Sequence, residues 1–141
     1  MAARGKKSSS YQGSKWITRE RRLAIYLRDG LACAYCRQGI EDNALLTLDH
    51  IIPYSQTATP NNTSGNLVTA CRRCNSSRGE RSLFDFTSAV AAYLNHGVTG
   101  EQILTHVRAC LARDIDLQEA KNLIARRGGF TAALSNVPRE T

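Results

Sequence analysis

The sequence has no long apolar run and few aromatic residues, and both shortages limit what the protein can be. No run of 18 or more apolar residues occurs, so no transmembrane helix is expected. Only 6% of the 141 residues are aromatic, which predicts a modest hydrophobic core. Residues 1–15 are basic and polar and lack the apolar stretch of a secretory signal. The expected protein is soluble and intracellular, with a cytoplasmic location.

The positive charge is concentrated in two short segments. The net charge is +7; residues 1–28 carry eight Lys or Arg and one acid, and residues 71–82 carry four Arg and one acid. Residues 83–141 are balanced, with six charges of each sign. A localised positive excess is typical of proteins that bind polyanions. Charge alone leaves open a second interpretation, a basic surface that only keeps the protein soluble.

Cysteine spacing predicts a metal site. Four of the five cysteines form the pairs "CAYC" and "CRRC", which are Cys33, Cys36, Cys71 and Cys74. In a reducing compartment such pairs are metal ligands more often than disulfides. Two thiolates three residues apart can share one Zn²⁺, at roughly 2.3 Å each. Structural zinc is therefore expected, with a pair of redox dithiols as the alternative; Cys110 is expected to be a small core residue on a helix.

Patterning along the chain predicts an α+β fold in three parts. Residues 1–15 form a disordered basic arm, residues 16–81 a core and residues 82–141 a helical extension. Within the core the order is helix, strand, loop, strand and short helix, at 18–28, 44–52, 55–65, 66–70 and the residues up to Gly79. Trp16 is expected to anchor the first helix.

The extension is expected to contain three helices, each preceded by a capping pair. A side chain that can cap a helix stands three residues before an acid or amide. The pairs are Ser82 with Asp85, Thr99 with Gln102, and Asp116 with Glu119. "RRGG", residues 126–129, is expected to end the last helix.

Residues 33–81 contain the side chains for phosphodiester hydrolysis. Asp49 and Asn75 offer hard oxygen ligands of the kind that Mg²⁺ or Mn²⁺ prefers. A neutral imidazole at His50 could take a proton from water near pH 7. A metal, a base and flanking arginines together form a minimal hydrolytic site.

At these positions the chain resembles the HNH endonucleases. The matching segments lie within residues 19–81, in the order "RDGLACAYC", "LDHIIPYS", "NLVTACRRCN" and "RG". The resemblance implies a ββα-metal core, in which a two-stranded hairpin and a helix surround one catalytic cation. It also implies a structural zinc on the four cysteines, as in many members of the family.

The resemblance assigns roles to four residues. His50 is the first letter of the motif and would be the general base. Asp49 would bind the catalytic cation, and Asn75, at the third letter, would be its second ligand. Asn66, at the middle letter, would hold the hairpin loop and so orient His50. Because the third letter is Asn rather than His, the metal expected is Mg²⁺ or Mn²⁺; two further histidines match no motif position, His96 and His106.

One geometric condition accompanies these roles. In a regular strand the adjacent residues Asp49 and His50 point to opposite faces. Both can serve one cation only if the strand ends or twists there, and the nearby Pro53 favours such an ending.

Arginines around the second cysteine pair are expected to grip the DNA backbone, because the planar guanidinium fits phosphate oxygens. The predicted contacts are Arg72, Arg73, Arg78, Arg81 and Arg37; the bland interpretation is solvated charge beside a zinc site. The expected partner is double-stranded DNA, with a homodimer or larger complex formed through the C-terminal helices. The competing function is a non-catalytic zinc module that binds nucleic acid.

Overall fold

The computed structural model describes residues 16–52, 61–94 and 97–136. The predicted basic arm lies outside the described residues, as do His96, Pro53 and most of the predicted loop at 55–65. Two strands and six α-helices occur in the described part: α1 (Arg19–Arg28), β1 (Leu46–His50), β2 (Leu67–Cys71), α2 (Arg72–Arg78), α3 (Leu83–Leu94), α4 (Gly100–Ala112), α5 (Leu117–Arg127) and α6 (Phe130–Asn136). The predicted α+β fold is confirmed.

The two strands form an antiparallel hairpin that places the motif residues at one end. Its register runs from Leu46 opposite Cys71 to His50 opposite Leu67. The prediction of a strand reaching Ile52 is wrong, since β1 ends at His50 and the chain bends over the next two residues. β2 passes directly into α2 at Cys71, so strand and helix are connected without a linker.

Side-chain caps set the starts of several helices. Thr18 Oγ1 accepts the N–H of Arg21 at 3.2 Å at the start of α1. Thr99 and Gln102 form the predicted reciprocal capping box on α4. Ser82 accepts the N–H of Asp85, and Asp116 that of Glu119, so the expected caps are made at all three starts.

Helix α6 was not predicted, because Gly128 and Gly129 suggested an end to the helical region. Gly128 does end α5, with φ of 93°. The chain then re-enters a helix at Phe130, and Ala133 becomes fully buried beside Leu23 and Ala24 of α1. Tertiary packing rather than local sequence therefore accounts for α6.

The helical extension shares its core with the residues that precede it. Phe86, Val90 and Val107 of α3 and α4 pack in one buried cluster with Val68 and the four paired cysteines. The helices α5 and α6 pack on α1. None of the described helices is long and apolar enough to cross a bilayer.

A buried ion pair at the end of α1 is hydrogen-bonded to the hairpin. Arg28 Nε contacts Asp29 Oδ1 at 2.7 Å, and both side chains are almost fully buried. Arg28 also donates to the carbonyl oxygens of Ser64 and Leu67, while Asp29 accepts the N–H of Thr69. These hydrogen bonds hold β2, and the turn before it, against α1.

Candidate active site and zinc centre

The four paired cysteines come together as the spacing predicts. Their sulfur atoms all lie within 4.8 Å of one another, and all four residues are buried. Cys36 Sγ and Cys71 Sγ are 3.8 Å apart, and a tetrahedral zinc with Zn–S bonds of roughly 2.3 Å requires sulfurs about 3.8 Å apart. The donor set therefore fits a structural zinc ion.

Local backbone structure brings the sulfurs inward. The N–H of Cys36 donates to Cys33 Sγ at 3.5 Å, and the N–H of Cys74 donates to Cys71 Sγ at 3.4 Å. Hydrogen bonding from Cys33 lowers the pKa of Cys36 to about 2 and that of Cys71 to about 6. At Cys36 and Cys71 this favours the thiolate, the form that binds a metal, whereas the pKa of Cys33 and of Cys74 is raised within the same group of coupled thiols.

Asp49 lies at the end of β1 and is buried, 5% exposed. Its Oδ2 atom accepts a hydrogen bond from Tyr35 Oη at 2.5 Å and an ion pair from Arg78 Nη1 at 2.8 Å. Burial raises the pKa of Asp49, while the charge of Arg78 and the hydrogen bond from Tyr35 oppose that rise. Both contacts are made to one carboxylate oxygen, Oδ2.

Asn75, in α2, is held against β1 through its amide nitrogen. Nδ2 donates to Thr47 Oγ1 at 2.9 Å and to the carbonyl oxygen of Leu48 at 3.1 Å. With the nitrogen used in this way, Oδ1 is the atom of Asn75 that can act as a ligand. Helix α2 thus carries Asn75 to the strand that carries Asp49.

His50, the last residue of β1, contacts a different set of residues. Its Nε2 lies 2.8 Å from Asn62 Oδ1, and its ring packs on Trp16 with centroids 5.0 Å apart. An amide oxygen only accepts, so Nε2 carries the proton and Nδ1 the lone pair. This tautomer is the one in which Nδ1 can take a proton from water.

Asn66 ties the loop between the strands to the end of β1. Its Nδ2 donates to the carbonyl oxygen of Asn61 at 2.8 Å, and its Oδ1 accepts the N–H of Ile52 at 2.9 Å. The residue is buried, and its backbone carbonyl also accepts the N–H of Ile51. The same segment supplies Asn62, so Asn66 supports the contact that His50 makes.

Residues 33–81 match the sequence model of the family described as HNH endonuclease. A solved structure that is similar to the chain is the Type II-C Cas9 enzyme from Actinomyces naeslundii, with 24% sequence identity and a TM-score of 0.45. That comparison covers 95% of this chain and 13% of the Cas9 chain. A search of the curated proteins found no match. The HNH match supports a nuclease-type function.

The five arginines predicted to contact DNA fall into two groups by their exposure to solvent. Arg37, Arg72, Arg73 and Arg81 are exposed. Arg78 is not, because only 2% of it is accessible and its guanidinium donates to Asp49, to the His50 and Ile51 carbonyl oxygens and to the Arg81 carbonyl oxygen. The prediction that Arg78 grips DNA is therefore incompatible with its position, where it holds the end of β1.

Three residues near the HNH motif letters were not predicted to have their observed contacts. Tyr35 reaches Asp49 from between the two cysteines of "CAYC"; an aromatic residue inside a metal loop is a weak signal for that contact. Asn62 lies in a polar loop with no spacing that would single it out. Trp16 was expected to anchor α1, and the structure adds its contact with His50 and with the guanidinium of Arg22, 5.5 Å from the ring centroid.

Proposed function

We propose that the protein is a metal-dependent DNA endonuclease that hydrolyses phosphodiester bonds. The single observation that carries this proposal is that Asp49 and His50 are the last two residues of β1 and that Asn75 of α2 is hydrogen-bonded to the same strand, at Thr47 and Leu48. Two of these side chains bring hard oxygen atoms, and the third is a histidine held in a tautomer suited to act as a base.

The donor atoms fit Mg²⁺ or Mn²⁺ better than a soft metal. From the described residues, the Asp49 carboxylate oxygen Oδ1 and the Asn75 amide oxygen Oδ1 accept no hydrogen bond, and such oxygens are preferred by hard cations. Bound there, the cation would supply Lewis-acid stabilisation of the charge that develops on the phosphate and on the leaving oxygen.

The chain's own residues would then perform the proton transfer and the positioning. His50 Nδ1 takes a proton from water, the water oxygen bonds to phosphorus, and the bond from phosphorus to the leaving 3′ oxygen breaks. Asn62 keeps the imidazole in place during this transfer. One such site cuts one strand, so a double-strand break would need two copies or two binding events.

Exposed arginines supply a sequence-independent grip on the DNA backbone. Arg72 and Arg73 begin α2, the helix that carries Asn75, and both are exposed. Arg22 stacks on Trp16, which itself contacts His50. Cations near the motif residues favour a substrate that is a polyanion, and we propose double-stranded DNA.

The competing function is a zinc module that binds nucleic acid without cutting it. Such a module would use the cysteines and exposed arginines but has no need for a histidine with its tautomer set, beside a buried carboxylate. Contacts to a homodimer partner or a larger complex through the C-terminal helices also stay a prediction; α3 exposes Phe84 and Tyr93.

The deciding experiment is the nicking of supercoiled plasmid by zinc-loaded protein with added Mg²⁺ or Mn²⁺. Replacing His50 by Ala should slow nicking by about 10²–10⁴-fold, the usual contribution of a general base. A matched control is His106→Gln, which changes a histidine on α4 away from the motif. Plasmid that is shifted on a gel but never cut, with either metal, would favour the binding module.

A further inference from the structure

We propose that Tyr35 and Arg78 are positioning residues that hold one oxygen of Asp49 so that the other is presented to the catalytic cation. This inference rests on the proposed function, since it assigns the way in which one ligand of that cation is oriented. It also means that the loop between Cys33 and Cys36, two members of the sulfur cluster, contributes the Tyr35 side chain to the cation site.

The geometry at Asp49 separates its two oxygens. Tyr35 Oη and Arg78 Nη1 both donate to Oδ2, at 2.5 and 2.8 Å. No described residue donates to Oδ1, although the side chain as a whole is buried. Two donors on one oxygen stop the carboxylate from turning about its last bond, so Oδ1 keeps one orientation.

Neither donor can easily move away from Asp49. Tyr35 is 1% exposed, and its ring meets Phe86 of α3 edge-on, with centroids 4.9 Å apart at 80°. The guanidinium of Arg78 is also fixed by the carbonyl oxygens of His50 and Ile51, at 3.0 and 2.8 Å. The carboxylate is thus backed by groups that packing and hydrogen bonds already hold in place.

The position of Tyr35 in the chain connects the two metal sites. It stands between Cys33 and Cys36, whose sulfurs belong to the zinc cluster. Its ring carries the hydroxyl from that loop to the end of β1. Partners that orient a metal-binding carboxylate typically affect metal affinity by about 10–100-fold when they are removed.

A simpler account is that Tyr35 only satisfies a buried charge and so contributes to stability alone. The chain offers a matched control for this account in Tyr26. Tyr26 is also buried, and its hydroxyl donates to β1 as well, to the carbonyl oxygen of Leu46 at 2.9 Å, without contacting Asp49. Tyr26→Phe and Tyr35→Phe therefore each remove one buried hydroxyl that is bonded to the same strand.

The test measures Mn²⁺ binding by calorimetry, without DNA, on the full zinc-loaded chain. Four proteins are compared: wild type, Tyr35→Phe, Tyr26→Phe and Asp49→Asn. Zinc content and the urea midpoint are measured for each. We expect Tyr35→Phe to keep its zinc and to bind Mn²⁺ about tenfold more weakly than wild type. Tyr26→Phe should bind Mn²⁺ within twofold of wild type. A twofold change in affinity is about 0.4 kcal/mol, which is near the calorimetric error.

Three results would overturn the inference. These are Mn²⁺ affinity in Tyr35→Phe within twofold of wild type, equal weakening in Tyr26→Phe, and weakening in Tyr35→Phe that accompanies loss of zinc. Asp49→Asn separates this inference from the proposed function. If Asp49→Asn loses Mn²⁺ binding while Tyr35→Phe keeps it, only the positioning role fails; if Asp49→Asn binds as wild type does, the proposed cation site itself is wrong.

Discussion

The sulfur cluster and the proposed oxygen site both take a ligand from α2, yet they differ in completeness. The protein supplies four buried thiol ligands to the first, close enough to enclose an ion. To the proposed second site it would supply Asp49 and Asn75, each held through one atom so that another atom could bind. The comparison teaches that a closed ligand set serves to hold the fold, whereas an open one leaves room for water and substrate.

The largest effect is expected when the sulfur cluster loses one of its four ligands. Cys74→Ala removes one of four ligands, and we expect the chain to lose zinc and most of its folding free energy, on the order of 5 kcal/mol for a domain of this size. The reason is that the cysteines join the first loop to the β2–α2 junction. Zinc stoichiometry and urea unfolding measure both effects.

Cys110→Ala is the matched control for that experiment. Cys110 is as buried as the cluster cysteines but belongs to α4 and lies outside the four-sulfur set. Its replacement should cost about 1 kcal/mol, the effect of a small cavity, and leave zinc bound. Equal destabilisation by the two variants would show that the cluster contributes packing and no metal-dependent stability.

A smaller effect, on the nicking rate, is expected when His50 loses its contact with Asn62. Asn62→Ala removes the acceptor of His50 Nε2, so the imidazole loses the partner that sets its orientation. We expect nicking to slow by between about tenfold and a hundredfold, with zinc content and the urea midpoint unchanged. Plasmid nicking at several pH values is the measurement.

Asn61→Ala serves as the control, because the Asn61 side chain accepts from Thr63 and does not contact His50. Its nicking rate should stay within about twofold of wild type, because the replacement keeps the backbone carbonyl that accepts from Asn66. Nicking by Asn62→Ala at the wild-type rate would contradict the view that His50 depends on this contact.

The two sites also differ in how far the sequence predicted them. The cysteine spacing predicted the four-sulfur cluster, because each C-x-x-C turn brings its own two sulfurs together by local geometry. The family motif pointed to Asp49, His50, Asn66 and Asn75, but their partners depend on tertiary packing. Arg78 illustrates the limit: from sequence it is one of four similar arginines, and only the path of α2 against β1 makes it a buried partner of Asp49.

The fold shows the same division between local and non-local information. Thr99 with Gln102 predicted the start of α4, because a capping box is a contact within four residues. The end of β1 at His50 and the existence of α6 were missed, since each depends on residues distant in sequence.

The smallest effect on stability is expected at His106 of α4, outside both sites. Burial, followed by the charges of Arg37 and Arg113, lowers the pKa of His106, while Asp29 opposes the shift; the ring also contacts Cys110 Sγ at 3.6 Å. Because the folded pKa lies below that of the unfolded chain, His106 contributes stability above about pH 6.5 that is lost as the pH falls. His106→Gln should therefore lose less stability than wild type between pH 7.5 and about pH 5, by under about 1 kcal/mol because solvent screens a half-buried ring. Urea midpoints at the two pH values measure this difference, and a smaller acid loss in wild type would contradict it. Nicking at pH 7.5 should be unchanged, since His106 lies on α4 and contacts Cys110, so its replacement can alter folding without altering the proposed oxygen site.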